Sequence, residues 1–403
     1  MNFIFISPNF PYTYWNFCDR LHRNGVNVLG IGDEPYEQLD PRLKKSLTEY
    51  YKVATLEDYN QVFRATAFFS YKYGKIDWIE SMNEYWLQQD ARLRTDFNVT
   101  TGVQNGQIDF IKEKSLMKVV YNLAGIPTAR QHKVATLEEG RRFVSEVGYP
   151  VIVKPDIGVG ANNTWKLKND SELVEFYHNR EMGVHSEPYV MEQFIEGNIV
   201  SYDAILDSNC DPLFESSTKW PPSIVDIVVE DKNLAYYVLP DVPEPLRVLG
   251  RRTVKAFGVR NRFVHLEFFR LARPCPGVGN YGDYAALEVN MRPAGGYTPD
   301  MMNFAHATDV YQIWADMVTT NKRILQPHGT DGFCVYAGRK DGHSYVHTHE
   351  EIMAKYGSCM KMQEEMPELN WPQMGRFMYT VRLESQEQTD EFIRFVQDER
   401  TSR

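Results

Sequence analysis

Apolar and polar residues alternate along two stretches in the latter half of the chain, Val264-His265-Leu266-Glu267-Phe268 and Ala286-Leu287-Glu288-Val289-Asn290-Met291-Arg292. A strand sends successive side chains to opposite faces. The pattern therefore predicts strands over Phe263 to Phe269 and Ala285 to Met291, with Leu287, Val289 and Met291 on one face of the second. Glu288, Asn290 and Arg292 go to the other face, and Glu267 is aimed away from Val264, Leu266 and Phe268. A carboxylate, an amide oxygen and a guanidinium in a row suit a hard cation and the phosphates it bridges. If the two strands are neighbours, both carboxylates can share one magnesium site. Solvated faces of two half-buried strands would alternate in the same way. They do not account for Pro293-Ala294-Gly295-Gly296, where two glycines let backbone approach a ligand closely.

The same reading sets out the rest of the chain. Asn2 to Ser7 reads as a buried strand, Tyr12 to Asn24 as a helix ended by Gly25, and Val26 to Ile31 as a second strand, an α/β opening. Ile76 to Met82 reads as a third strand. Glu84 beyond it is either a functional group at a strand end or an early-helix acid. Helical spacing of Ile111, Leu116, Val119, Val120 and Leu123 predicts one helix from Asp109 to Ala124, stopped by Gly125. A helix from Leu137 to Val147, strands Val151 to Val153, Thr164 to Leu167 and Tyr189 to Met191, and a helix near Asp170 to Asn179 form an α+β unit. A strand follows over Val200 to Leu206, with irregular connections at Pro221-Pro222 and Pro240 to Pro245. One amphipathic helix is expected over Asn303 to Val318, with Phe304, Tyr311 and Trp314 packing it onto a sheet. The tail carries strands near Phe333 to Ala337 and Arg376 to Leu383 and a helix from Gln386 to Asp398.

Composition narrows the partners. A net charge of -10, from 54 acidic and 44 basic residues without a long basic run, weighs against nucleic acid and anionic membrane. No stretch reaches the ~18 apolar residues of a membrane helix, and the first residues lack a signal leader. Five scattered cysteines without a Cys-x-x-Cys pair suggest free thiols and a cytoplasmic setting.

Three more segments bear on chemistry. Val151-Ile152-Val153-Lys154-Pro155 is a strand ending in a lysine, followed by the small residues Gly158 to Thr164, whose N–H groups can wrap phosphate oxygens. An ordinary hairpin turn with an exposed lysine fits the same residues. Glu192 to Gly197 leaves a strand through a short hinge, with backbone groups for an adenine edge. Lys114 lies on the polar side of its helix, as many solvated lysines do. Gly277 to Gly282 matches a dinucleotide-binding string but lacks its strand-to-helix context, and His343, His347 and His349 read as surface histidines.

Taken in chain order, these pieces resemble the ATP-grasp superfamily, in particular its carboxylate-amine ligases. The order is Lys114 before Gly125-Ile126-Pro127, then Tyr149 to Pro155, the glycine loop, Glu192 to Gly197, Glu267, and Glu288-x-Asn290-x-Arg292 with Pro293 to Gly296. The resemblance spans roughly Lys112 to Val318 and implies an α/β and α+β, ATP-grasp fold. It implies a Rossmann-like pre-ATP-grasp domain over 1–108, a lid and small subdomain over 109–197 and a large subdomain with an α/β extension over 198–403. By the same resemblance, Lys114 and Lys154 contact ATP, the loop with Gly158 and Gly160 closes over its phosphates, and Glu192, Ile195 and Glu196 hold the nucleoside. Lys219 supplies a further phosphate-binding base, while Glu267, Glu288 and Asn290 bind Mg2+ or Mn2+. Arg292 steadies the transferred phosphoryl group, with Gly295 and Gly296 N–H groups beside it. Ile199 stands where relatives carry an acid for ribose.

The implied activity is ATP-dependent joining of a carboxylate, such as that of an amino acid, to an amine through an acyl phosphate, releasing ADP and phosphate. Its partners are small-molecule carboxylates and amines, and a homodimer is implied. Two other readings stay open: biotin-carboxylase-like carboxylation through carboxyphosphate, and a nucleotide-binding regulatory protein without catalysis.

Overall fold

The structure, a computed structural model, describes residues 1–158, 163–181, 188–221 and 232–400. Its first sheet joins β1 (Asn2–Ile6), β2 (Asn27–Gly32), β3 (Glu49–Lys52) and β4 (Trp78–Glu80) in the order β3-β2-β1-β4, all parallel. Parallel strands need crossovers, supplied here by helices such as Trp15–Arg23 and Tyr59–Tyr73. Apolar Phe3, Ile4, Phe5 and Ile6 are buried on both faces, as such a sheet requires.

A second sheet holds β5 (Gln131–Lys133), β6 (Val151–Pro155), β7 (Trp165–Leu167) and β8 (Tyr189–Gln193), ordered β5-β8-β6-β7 and antiparallel. Val151, Val153, Tyr189 and Met191 share a core with Phe143 and Phe176 of the helices Leu137–Val147 and Asp170–Glu181. Period two therefore puts Lys154 and its neighbour Glu192 on the sheet's other face.

The third sheet contains β9 (Gly197–Leu206), β10 (Pro212–Ser216), β11 (Thr218–Trp220), β12 (Ala235–Val238), β13 (Arg262–Leu271), β14 (Tyr284–Asn290), β15 (Phe333–Arg339), β16 (Met360–Glu365) and β17 (Phe377–Leu383). Their order is β14-β13-β9-β11-β12-β15-β17-β16, with β10 also paired to β9. Trp314 joins this region to the first sheet's layer, its ring 5.6 Å from Phe3 and 5.0 Å from Phe17.

Four expectations need correction. The helix expected over Asp109 to Ala124 is two, Asn105–Lys112 and Lys114–Leu123, broken at extended Glu113. Asp156 starts the second, accepting Ser115 N at 2.8 Å while its backbone oxygen accepts Lys114 N at 2.9 Å. The helix expected over Asn303 to Val318 is likewise Thr298–His306 and Val310–Thr320, separated by left-handed Ala307, with Asp309 capping the second. Pro245 lies in the first turn of a helix, Glu244–Ala256, where its missing N–H costs nothing. Finally, the register slips between Glu267 and Phe268, so Leu287 turns away from Val289 and Met291 and packs on the opposite cluster.

Candidate functional site

Strands β13 and β14 pair directly, with Glu267 opposite Glu288 and His265 opposite Asn290. The slip that displaces Leu287 keeps both acids on one face. Like charges facing each other across a ladder are destabilising, and neighbours only partly offset them. His265 Nε2 lies 3.2 Å from Glu267 Oε1, and Lys114 Nζ lies 3.3 Å from Glu288 Oε1. Among the described residues, no three His, Cys, Asp or Glu side chains converge as a complete metal cage. Two carboxylates and an amide oxygen fit Mg2+ at a nucleotide site, because that ion keeps positions for phosphates and water.

Behind Glu267 runs a buried chain of polar groups. Asp203 on β9 holds His265 Nδ1 at 2.6 Å, and Ser201 Oγ donates to Asp203 in turn. Burial alone would lower the imidazole's pKa, but Asp203 and Glu267 raise it to about 9. His265 therefore stands as a cation beside Glu267 and helps keep that carboxyl ionised against its burial.

Across the cleft, Lys154 Nζ sits 2.7 Å from Glu192 Oε2. Lys118, absent from the expected set, sits 3.3 Å from Glu192 Oε1 and donates to Thr128 Oγ1 at 2.6 Å. Gln131 Nε2 donates to Glu192 at 2.9 Å. Burial favours the neutral acid, yet the two ammonium groups hold the Glu192 carboxyl at about 2. Burial would lower Lys154, and Glu192 raises it instead; Lys118 is lowered because burial prevails. Lys114 bridges the halves, since its Nζ also donates to Gly158 O at 3.1 Å where the glycine loop begins.

Arg292 closes the far end. Its Nη1 donates to Pro293 O at 2.9 Å, its Nη2 to Asn290 Oδ1 at 3.4 Å, and its Nε lies 3.4 Å from Glu84 Oε2. A Cβ on Gly295 would meet nothing within 4 Å; Gly296, at φ +62°, would place one 2.9 Å from Met374. Glycine is thus favoured at Gly296 by conformation, whereas the flexible end of Met374 could yield to a Cβ.

Not every expected residue joins this cluster. Gly160 lies outside the described residues. Lys219 pairs with Val200 and Tyr237, whereas Glu267 pairs with Ser201. The register therefore sends Lys219 to the opposite face, its Nζ 5.8 Å from the Tyr237 ring centre. Ile195 is buried with Ala129, Leu271 and Ala285, so its side chain is taken up in packing. Glu196 pairs with Arg273 at 3.2 Å and is half exposed. Ile199 is buried in the main core. Of the histidines, His343 pairs with Glu399 at 2.9 Å, His347 stacks on Phe395 and His349 bonds the Tyr379 hydroxyl.

Residues 113–208 match the family model of the carbamoyl-phosphate synthase L chain, ATP binding domain. The carbamoyl phosphate synthase large chain of Agathobacter rectalis is 28% identical over 106 residues, which cover 26% of this chain and 10% of that one. Among solved structures, the L-amino acid ligase from Bacillus licheniformis aligns over 99% of this chain and 97% of its own, at 16% identity and a TM-score of 0.71. The chain carries the ATP-grasp fold. N5-carboxyaminoimidazole ribonucleotide synthetase from Thermotoga maritima shares it over 98% of both chains, at 14% identity and a TM-score of 0.67. So does the biotin carboxylase domain of the Hydrogenobacter thermophilus 2-oxoglutarate carboxylase, solved with MgADP and bicarbonate, at 16% identity over 97% and 88%, with a TM-score of 0.65. In the ATP-grasp fold of this chain, the matched segment contains Lys114, Lys118, Lys154 and Glu192, while Glu267, Glu288, Asn290 and Arg292 lie beyond it.

Proposed function

We propose that the protein is an ATP-dependent ligase that converts a small-molecule carboxylate to an acyl phosphate and joins it to an amine, releasing ADP and phosphate. The observation that carries this reading is the direct pairing of Glu267 with Glu288, with Lys114 and Lys154 on the facing elements. A binding protein has no need to set two acids against each other.

The chemistry follows from charge. A carboxylate resists amines because its own charge must first be overcome. Transfer of a phosphoryl group to its oxygen creates a leaving group; the amine's new C–N bond then forms as the C–O bond to phosphate breaks, and the phosphate takes up the amine's proton. Such transfer asks a protein mainly for positioning and charge neutralisation. Glu267, Glu288 and Asn290 would hold Mg2+, which would supply positive charge to offset that developing on the phosphates. Lys114, Lys154 and the Gly158 loop neutralise and cover phosphates. Arg292, with the N–H groups of Gly295 and Gly296, meets the oxyanion formed when the amine attacks.

Glu192 acts here as a counter-charge, because it raises the pKa of buried Lys154 and opposes the lowering that burial imposes on Lys118. Lys219 has no part in this site. A homodimer and a cytoplasmic setting belong to the same proposal; no helix among the described residues is long and apolar enough to cross a membrane. The test is ADP release in the presence of paired carboxylates and amines, with products identified by mass. ADP, phosphate and an amide are expected. AMP with pyrophosphate, or ADP release that no carboxylate stimulates, would contradict the reading.

A further inference from the structure

Glu84 stands at the carboxyl end of β4, in the parallel sheet, where open α/β folds place ligand-binding groups. Lys112 Nζ donates to its Oε1 at 2.6 Å and to its backbone oxygen at 3.0 Å, which fixes the carboxylate. Oε2 is buried, accepts no hydrogen bond and lies 3.4 Å from Arg292 Nε. A purely structural Arg–carboxylate pair favours two parallel N–H donations. Arg292 instead gives its Nη1 and Nη2 to Pro293 and Asn290. Backbone at the ends of neighbouring strands β1 and β4 is left-handed, at Ser7 with φ +52° and Met82 with φ +57°, and Tyr14 Oη donates to Met82 O at 2.8 Å. Strained backbone of this kind clusters around ligand sites.

A negative and a positive group thus stand side by side where the proposed function puts the substrate carboxylate. An acid there repels nucleotide phosphates, so it belongs to the other substrate. An α-amino acid carries a carboxylate and an ammonium one carbon apart, and each can meet its opposite in this pair. We propose that Glu84 is a substrate-recognition residue and that the carboxylate donor is an α-amino acid, with its carboxylate on Arg292 and its ammonium on Glu84. This deepens the ligase reading and rests on it. The pairing also keeps that ammonium protonated, because an adjacent carboxylate favours the charged form. The activated amino acid is thereby prevented from acting as its own nucleophile, and a second amine must supply the attack.

The experiment compares ADP release, with one amine acceptor in fixed excess throughout, for L-amino acids against their des-amino counterparts, propionate against alanine and so on through the panel, in wild type and Glu84→Gln. Wild type is expected to favour an amino acid in kcat/KM, and Glu84→Gln to shrink that preference by about tenfold or more. An unchanged preference in the variant, or an equal loss for both members of each pair, would mean that Glu84 only holds Arg292 and would overturn the proposal. Equal use of both members by wild type overturns it without any variant, so a misfolded Glu84→Gln cannot hide the answer. ADP release with des-amino acids alone sinks this assignment and leaves the ligase reading standing. No stimulation by any carboxylate sinks both.

Discussion

Asp90 and Glu192 are both deeply buried carboxylates, yet they depart from ordinary values in opposite directions. Burial raises Asp90 to about 6, with Arg94 only partly opposing it, whereas Lys118 and Lys154 overcome burial and hold Glu192 at about 2. Asp90 belongs to a closed network. Glu80 contacts both Arg262 and Arg94, Arg94 Nε donates to Ile79 O at 2.9 Å, and Arg262 Nη1 donates to Met291 O at 3.0 Å. Glu80, Asp90, Arg94 and Arg262 are at most 2% exposed. In the cleft, by contrast, the side chains of Glu267 and Glu288 remain 20% and 22% exposed, and each has one nearby cation. Closed charge fixes architecture, here tying the first sheet's unit to the strands that carry Glu267 and Glu288. Charge left partly open in a cleft is held ready for a ligand.

The largest effect that could break this contrast is at Glu288. Glu288→Gln should lower ADP release by about 1000-fold or more, since the proposed cation site loses a ligand and its charge. Its melting temperature should stay near that of wild type. Retained activity would remove Glu288 from the cation site. Glu80→Ala should do the reverse. With Arg94 and Arg262 left buried without their acid, urea unfolding should show a loss of about 3–5 kcal/mol. A loss below about 1 kcal/mol would mean that the network is not a structural lock.

Lys118→Met tests the boundary between the two regions, because it is as buried as the closed network but belongs to the cleft. Glu192 would then draw on Lys154 alone, and the KM for ATP should rise about tenfold with little change in stability. An unchanged KM would reduce Lys118 to a packing residue.

The smallest effects are slopes against pH, and they should have opposite signs. Glu192 has a folded pKa below its usual 4.5, so its contribution is present above about 4.5 and lost as pH falls toward about 2. Glu192→Gln should flatten that acid limb. Asp90 has a folded pKa above its usual 3.8, so the folded state holds its proton longer and stability declines as pH rises from about 4 to 6. Asp90→Asn should remove that decline. Chemical unfolding between pH 2 and 7 reads both, and slopes of the same sign would contradict the contrast.

Much of the cleft was legible from alternation alone. Glu267, Glu288 and Asn290 are on one face because a strand has period two, and the helix Leu137–Val147 has the expected bounds because its cap and its closing glycine are local signals. His265 could have been found by the same rule, since it lies two residues from Glu267. Lys118 could not, because its function depends on Glu192, a partner remote in sequence, and a lysine one turn after Lys114 looks solvated. The breaks at Glu113 and Ala307 were hidden for a related reason, because apolar spacing continues across both. Lys219 shows the limit of motif order, since its face was set by pairing with β9 and β12. Pro243 and Pro245 masked the helix Glu244–Ala256, as proline marks a helix start as readily as a loop.

The central claim is that the carboxylate itself receives the phosphoryl group. A carboxylate donor enriched in oxygen-18 and turned over with ATP and an amine tests it most directly, through the mass of the released phosphate. One oxygen-18 atom per phosphate is the predicted result. Phosphate without the label, or label appearing in AMP, would contradict the acyl phosphate and with it the role given to the paired acids.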